Sequence, residues 1–261
     1  MTPRKILWLS DIHVAAAGKT IHGRDPLAFL RRALDHALRH HADADLMVIS
    51  GDLVDERTED EYRRVRDALS GLPVPVAMTI GNHDGRSAFR AVFPDAFRDG
   101  NGFVQGRTDV GPDWRCLLLD TNADASSVGA LDRDRLAWLR GELEALDGRR
   151  CLIFMHHPPI LLGLPGFDAI GLPAEDRAAF AGVIAAHRDR IGFVGFGHTH
   201  MTPCGAVAGV PAIGIGSTLY RVRPDFTAAG FPEDPGAPGV HGVVLLGDDG
   251  PAVHLVRVPE V

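Results

Sequence analysis

From Lys5 to His200 the chain alternates between short apolar runs and longer segments whose apolar residues recur at helical spacing. The runs Lys5–Leu9, Leu46–Ser50, Val74–Ile80, Arg115–Leu119, Cys151–Met155 and Ile191–Phe196 are short and nearly continuous. That pattern predicts buried strands rather than helices. Between them, Leu27, Leu30, Leu34, Ala37 and Leu38 define a helix within 25–41, and Thr58 to Leu69 is a charged amphipathic helix. Thr58 and Glu61 have the spacing of a capping box. Helices are also predicted over 86–97, 131–146 and 175–187, with a Gly-rich loop or hairpin over 98–113. Strands alternating with helices specify a largely parallel α/β arrangement. Beyond residue 200 the helical pattern stops. Apolar runs near 205–208, 211–215, 241–246 and 252–258 predict antiparallel strands. The Pro-, Gly- and Asp-rich stretch 219–239 between them reads as an inserted lid or oligomerisation segment. With no repeat, low-complexity tract or linker, 1–261 is expected to be a single domain.

The polar residues that follow the strand-like runs carry the chemistry. Gly81-Asn82-His83-Asp84 closes the third run, and alone it would be an ordinary polar turn. The arrangement recurs, however: Asp11 and His13 follow the first run, Asp52 and Asp55 the second, His156 and His157 the fifth, and His198 and His200 the sixth. Asp11 and His13, two apart in an extended segment, would leave the chain on one face. In α/β sheets, ligands bind outside the carboxyl ends of the strands, so these groups are expected on one rim. Asp11, His13, Asp52, Asn82, His156, His198 and His200 are too many donors for one cation. They suit two metals sharing a carboxylate, the arrangement used for phosphoryl chemistry.

Composition narrows the setting. The 261 residues are 45% hydrophobic and 23% charged, with ample material for a core. A net charge of −7 without any Lys/Arg block argues against a nucleic-acid groove. No apolar run approaches membrane-spanning length, and the first is too short for a signal-peptide core. Cys116, Cys151 and Cys204 are scattered and odd in number, which points to free thiols and a cytoplasmic protein. Of the thirteen histidines, His36, His40, His41 and His187 fall in polar helical stretches and are expected to be exposed; His22 and His241 have no assignment.

Together Asp11-Ile12-His13, Gly51-Asp52-Leu53-Val54-Asp55, Gly81-Asn82-His83-Asp84, His156-His157-Pro158 and Gly197-His198-Thr199-His200 resemble, in order, the motifs of the calcineurin-like metallophosphoesterases. The stretch from Gly129-Ala130-Leu131 to Trp138-Leu139 is similar to the bacterial branch of cyclic-nucleotide phosphodiesterases and glycerophosphodiesterases. The resemblance implies a four-layer αββα fold, a β-sandwich flanked by helices. It implies one metal held by Asp11, His13, Asp52 and His200, and another by Asp52, Asn82, His156 and His198, with Asp52 bridging. The implied reaction is hydrolysis of a small-molecule phosphodiester by in-line attack of a metal-bridging hydroxide. His83, next to a ligand but not one itself, would protonate the departing alkoxide or stabilise phosphoryl charge. Asp84 would orient His83 and Asp55 would stand behind the ligands, although both are also ordinary turn residues. His157 would line the pocket or pack on Pro158.

The chain departs from the cyclic-nucleotide members after its late apolar strand. Where they carry Ser-Thr-x-His-Gln, it reads Ser217-Thr218-Leu219-Tyr220-Arg221. Tyr220 and Arg221 are therefore expected to contact substrate, Arg221 by taking a second anionic group. Mixed Asp/Asn/His ligation accommodates Mn, Fe, Zn or Co. Monoester, protein-phosphate or nucleic-acid hydrolysis could use the same site. A binding module that had lost the chemistry would lack ligands, and none is missing. Relatives are often dimeric, which leaves a homo-oligomer open.

Overall fold

The computed structural model describes residues 3–259; the outermost two residues at each end of the expected 1–261 domain lie outside it. In chain order, the first half comprises β1 (Arg4–Leu9), α1 (Pro26–His41), β2 (Leu46–Ser50), α2 (Glu59–Leu69), β3 (Val76–Thr79) and α3 (Arg86–Val92). Then follow β4 (Gly106–Val110), β5 (Trp114–Leu118), α4 (Arg133–Glu144), β6 (Arg150–Phe154), α5 (Pro165–Ala169), α6 (Ala174–His187) and β7 (Ile191–Phe196). The remainder is β8 (Cys204–Val207), β9 (Val210–Gly214), β10 (Arg221–Val222), β11 (Glu233–Asp234), β12 (Val240–Gly247) and β13 (Gly250–Arg257).

Two large sheets pack face to face. One runs β13-β12-β1-β2-β3 and the other β4-β5-β6-β7-β9-β8. Strands β1, β2 and β3 are mutually parallel, as are β5, β6 and β7, so each sheet presents a set of carboxyl ends. Apolar side chains on both faces of these strands explain the continuous runs. Trp8, Val48, Phe154 and Phe193 point between the sheets, while Leu7, Leu9, Met47 and Ile49 meet α1 and α2 on the outer face. Leu139 of α4 and Phe180 of α6 cover the other outer face. The layers are thus helix, sheet, sheet, helix, the αββα order implied by the motifs. Trp8 sits at the centre, its ring 5.3 Å from Phe154 at 71°, and its indole N–H donates to Ser50 Oγ at 2.9 Å.

The capping box of α2 is present: Thr58 Oγ1 accepts from Glu61 N, and the Glu61 carboxylate accepts from Thr58 N. Helix α3 is shorter than the sequence predicts. It stops at Val92, where Phe93 leaves helical geometry (φ −120°, ψ 68°) ahead of Pro94, because the residue before a proline is pushed out of the α region. The late strands are not all antiparallel: β9 pairs parallel to β7 and antiparallel to β8. The one-turn helix α5 lacks enough residues to show periodicity and was not anticipated. His36 is half-buried rather than exposed, its Nδ1 3.0 Å from Nε2 of fully buried His241. His41 and His187 are also half-buried, and His40 is exposed. Among the described residues, no helix is long and apolar enough to cross a membrane.

Helix α2 braces the loop after β3 through one side chain. The Tyr62 hydroxyl is buried, donates to Asp84 Oδ1 at 2.8 Å and accepts from Gly85 N at 2.9 Å. Tyr62→Phe should therefore destabilise the protein by about 1–3 kcal/mol, the cost of stranding two buried polar partners. A lower urea midpoint with an unchanged m-value is the expected result; an unchanged midpoint would refute the bracing role.

Candidate metal and catalytic site

The carboxyl ends of β1, β2, β3, β6 and β7 meet along one edge of the sandwich. The loops after β1 and β2 continue side by side: Asp11 N donates to Gly51 O and His13 N to Asp52 O, each at 3.0 Å. The loop after β7 joins them, with His198 N donating to Asp11 Oδ1 at 3.0 Å. Glycine is required where these loops touch. A Cβ at Gly81 would overlap Asp52 Oδ1, and one at Gly197 would overlap Ser10 Oγ.

All seven expected ligands are brought together and buried. Asp11, His13 and His200 form one group of ligand atoms, and Asp52, His156 and His198 another. Within the first, His13 Nε2 lies 3.0 Å from His200 Nε2, which lies 3.4 Å from Asp11 Oδ1. Within the second, Asp52 Oδ2 is 3.2 Å from His156 Nε2, and Asn82 Oδ1 is 3.1 Å from His156 Nε2 and 2.8 Å from His198 Nδ1. Asp52 Oδ2 also reaches toward His13 Nε2, at 3.7 Å, and so stands between the groups. Asp11 and His13 are not extended, contrary to expectation. Asp11, His13, Asp52, His198 and His200 all have left-handed backbone, with φ of 53°, 42°, 48°, 69° and 53°. This curl turns each side chain inward at a cost of about 1–3 kcal/mol per residue.

The donor set fits divalent cations. Two buried carboxylates, an amide oxygen and imidazole nitrogens crowd the pocket, and His198 Nε2 and His200 Nδ1 are buried with no hydrogen-bond partner among the described residues. Burial pushes His13 down to about 3, and burial with neighbouring His157 and His156 holds His198 well below the usual imidazole range. Both are thus neutral, the ligating form. Burial alone would raise the Asp52 carboxyl, but the adjacent His156 and its hydrogen bond pull it well below the usual range. Asp52 is ionised.

His83 lies at the wall of the same cavity, its ring 4.8 Å from His13 and its backbone N–H donating to Asp52 Oδ1 at 2.8 Å. Its Nδ1 is 3.1 Å from the Asp55 carbonyl, and Asp55 is anchored by Lys19 at 2.7 Å. Asp55, not Asp84, therefore orients the ring. The Asp84 carboxylate is consumed by Gly81 N, Leu53 N and Tyr62 OH, which directs it at the loop backbone instead. His157 does not line the pocket either. It is fully buried, with Nδ1 on Thr121 Oγ1 at 2.7 Å and Nε2 3.3 Å from the Ser127 carbonyl, and its ring backs His198 at 4.6 Å. Tyr220 does line the cavity, 4.3 Å from His200. Arg221 does not. In a strand, neighbouring side chains take opposite faces, and it is Val222 that faces the cavity. The sequence reading missed Phe167, Phe231 and Glu233, which complete the cavity of about 210 Å³. They lie in a one-turn helix, a loop and a two-residue strand, all too short to show periodicity, and nothing local distinguishes them.

A two-sheet sandwich carrying Asp, Asn and His donors in two adjoining groups is the architecture of a metal-dependent phosphoesterase. The calcineurin-like phosphoesterase family matches residues 4–202, and the chain belongs to it. It is 35% identical over 240 residues to a probable cyclic nucleotide phosphodiesterase of Rhodopseudomonas palustris, covering 91% of this chain and 84% of that protein. It is 26% identical over 201 residues to a probable glycerophosphodiester phosphodiesterase of Arcobacter nitrofigilis, covering 75% and 71%. The fold is similar to that of a purple acid phosphatase from yellow lupin seeds, with a TM-score of 0.69 at 12% identity over 98% of this chain and 51% of that one.

Because Asp52 touches both groups, Asp52→Asn should weaken metal binding at both. Elemental analysis after gel filtration is expected to show bound metal reduced well below half that of the wild type. Loss of only half, with the remainder held at wild-type affinity, would assign Asp52 to one group alone.

Proposed function

We propose that this chain hydrolyses small-molecule phosphodiesters, of cyclic-nucleotide or glycerophosphodiester type, at a site holding two divalent cations. The observation that carries the reading is the pair of donor groups meeting at Asp52, on a chain related over most of its length to phosphodiesterases. Asp11, His13, Asp52 and His200 would hold one cation; Asp52, Asn82, His156 and His198 the other. Divalent cations bound there supply Lewis-acid charge neutralisation and lower the pKa of water. Manganese, iron, zinc and cobalt all suit this donor set. The scattered thiols support a cytoplasmic setting.

The remaining work falls to this chain's own side chains. Asp52, held in place by the His83 N–H, keeps the two groups in register. The His83 Nδ1–H donates to the Asp55 carbonyl, which leaves Nε2 as the nitrogen that can give a proton to a departing alkoxide. Burial works against a charge on His83, but Asp52 and the Asp55 carbonyl outweigh it and raise its pKa, so the proton is retained nearer neutral pH. Arg57 donates to the Asn82 carbonyl at 2.6 Å and fixes the backbone between ligand and acid. Tyr220, Phe167 and Phe231 shape an apolar wall, which favours compact diesters over an extended polyanion.

Turnover of cyclic AMP, glycerophosphodiesters, and bis- and mono-p-nitrophenyl phosphate by metal-loaded protein tests the reading. Diesters should be hydrolysed faster than the monoester, and a strong monoester preference would overturn it. His83→Ala should retain metal and lose roughly 10²–10⁴-fold in turnover of diesters with alkoxide leaving groups. The loss should shrink for p-nitrophenolate, which leaves without a proton. Equal losses for both would remove the proton-donor role and leave charge stabilisation.

A further inference from the structure

The segment 219–239 contributes a small hairpin to the site, and its register decides which side chains face inward. Val222 stands opposite Glu233, and Arg221 opposite Asp234. Residues directly opposite share a face, so Val222 and Glu233 point together into the cavity while Arg221 and Asp234 point away. The position expected to supply a cation therefore supplies none, and the hairpin brings a carboxylate instead.

That carboxylate is held in place. Glu233 Oε2 lies 3.0 Å from His22 Nδ1. His22 occupies a tight turn with left-handed backbone (φ 50°), closed by reciprocal hydrogen bonds between Ile21 and Arg24. The His22 ring rests edge-on against Tyr220 at 4.6 Å, and Tyr220 in turn covers His200. Arg24 ties the segment down near both ends by donating to the carbonyls of Leu219 and Ala237. Glu233 Oε1 has no hydrogen-bond partner among the described residues, and its side chain is 41% exposed at the cavity mouth. Phe231, 42% exposed, stacks edge-on over Phe167 at 4.7 Å beside it.

We infer that Glu233 is a specificity-determining residue. It selects phosphodiesters whose second substituent donates hydrogen bonds, through hydroxyl or ammonium groups, and disfavours those carrying a further negative charge. The inference rests on the hydrolase reading above and sharpens it. A carboxylate with a free oxygen accepts from hydroxyl and ammonium donors and repels an anion. The adjoining Phe231 and Tyr220 faces accommodate the carbon skeleton of either donor type. A site for an anionic substrate gains nothing at the metal centre from an extra carboxylate at its mouth, so the charge acts on the substituent.

The test uses p-nitrophenyl phosphodiesters that share one leaving group and differ in the other substituent: 2-aminoethyl, 2,3-dihydroxypropyl, ethyl and carboxymethyl. Each kcat/KM is expressed relative to the ethyl ester. For the wild type, the aminoethyl or dihydroxypropyl ratio should exceed one and the carboxymethyl ratio should fall below it. Glu233→Gln should move these ratios toward one by roughly fivefold, the upper range for a partly exposed charge contact. A change confined to aminoethyl identifies ammonium as the selected group, and a change confined to dihydroxypropyl identifies hydroxyl. Asp234→Asn, on the other face of the same hairpin, should leave the ratios alone, whereas a merely structural hairpin would respond to both variants. Ratios unmoved by Glu233→Gln overturn the inference while leaving hydrolysis intact. If no diester is turned over, the hydrolase reading fails. Calorimetric binding of 2-aminoethyl, ethyl and carboxymethyl phosphates to metal-loaded protein then decides the inference separately, and equal affinities for all three would refute it.

Discussion

The Asp52 carboxylate lies where the two sheets meet, and the surrounding structure is arranged to keep it there, charged and out of water. Its Oδ2 faces His156, from the second sheet, and His13, from the first; its Oδ1 accepts the His83 N–H. A carboxylate taken out of water costs several kcal/mol unless polar partners replace its hydration. Here the replacements come from three separate loops, after β6, β1 and β3, so none can move without exposing the charge to an unfavourable environment. Gly81 has no side chain for the same reason: the Asp52 carboxylate occupies the space a Cβ would need.

Backbone strain is the second part of that arrangement. Five of the expected ligands adopt left-handed conformations that ordinary residues avoid, although Asp and His tolerate them better than most. Such strain persists only where neighbouring structure dictates it. The loops after β1 and β2 are zipped by a continued parallel pairing, from Asp11 N to Gly51 O through Val14 N to Leu53 O. Behind them stand strands buried on both faces, with Trp8 pinned between Phe154 and Phe193 and bonded to Ser50. The stiffness of the hydrophobic sandwich thereby holds the donors in place before any cation arrives.

This explains why so much was legible in the sequence. Strands buried on both faces must be apolar throughout, which makes their ends visible, and a metal site at those ends must use a narrow set of residue types. The αββα layering and the convergence of Asp11, His13, Asp52, Asn82, His156, His198 and His200 could be anticipated on those grounds. What failed depended on side-chain direction or on contacts distant in sequence. Asp84 and Asp55 are both acidic neighbours of the motif, and only the fold shows that the Asp84 carboxylate turns to Tyr62 while Asp55 meets His83 through its backbone carbonyl and gives its carboxylate to Lys19. The position of Arg221 after Tyr220 suggested an anion site, but a two-residue strand alternates faces, and the pairing register cannot be read from composition. His157 looks like its neighbour His156, yet Thr121 claims it for the interior.

The proposed roles also separate the donors that would hold metal from the carboxylate that would choose substrate. Every expected metal donor lies on loops fixed by the sheets, whereas Tyr220, Phe231 and Glu233 ride on a segment that leaves the main fold. That segment has its own apolar anchor, in which Val222 and Tyr220 pack with Leu164, Phe167 and Met201. Tyr220 and Phe167 of this satellite cluster rest on His200 and His198, whereas Glu233 stands at its exposed edge. His22 and Arg24 link the two: both lie in the loop that begins at Asp11, His22 ending against Glu233 and Arg24 on the carbonyls of Leu219 and Ala237. On that reading, a substitution at Glu233 would change substrate preference while the buried centre around Asp52 keeps its contacts to His13, His83 and His156.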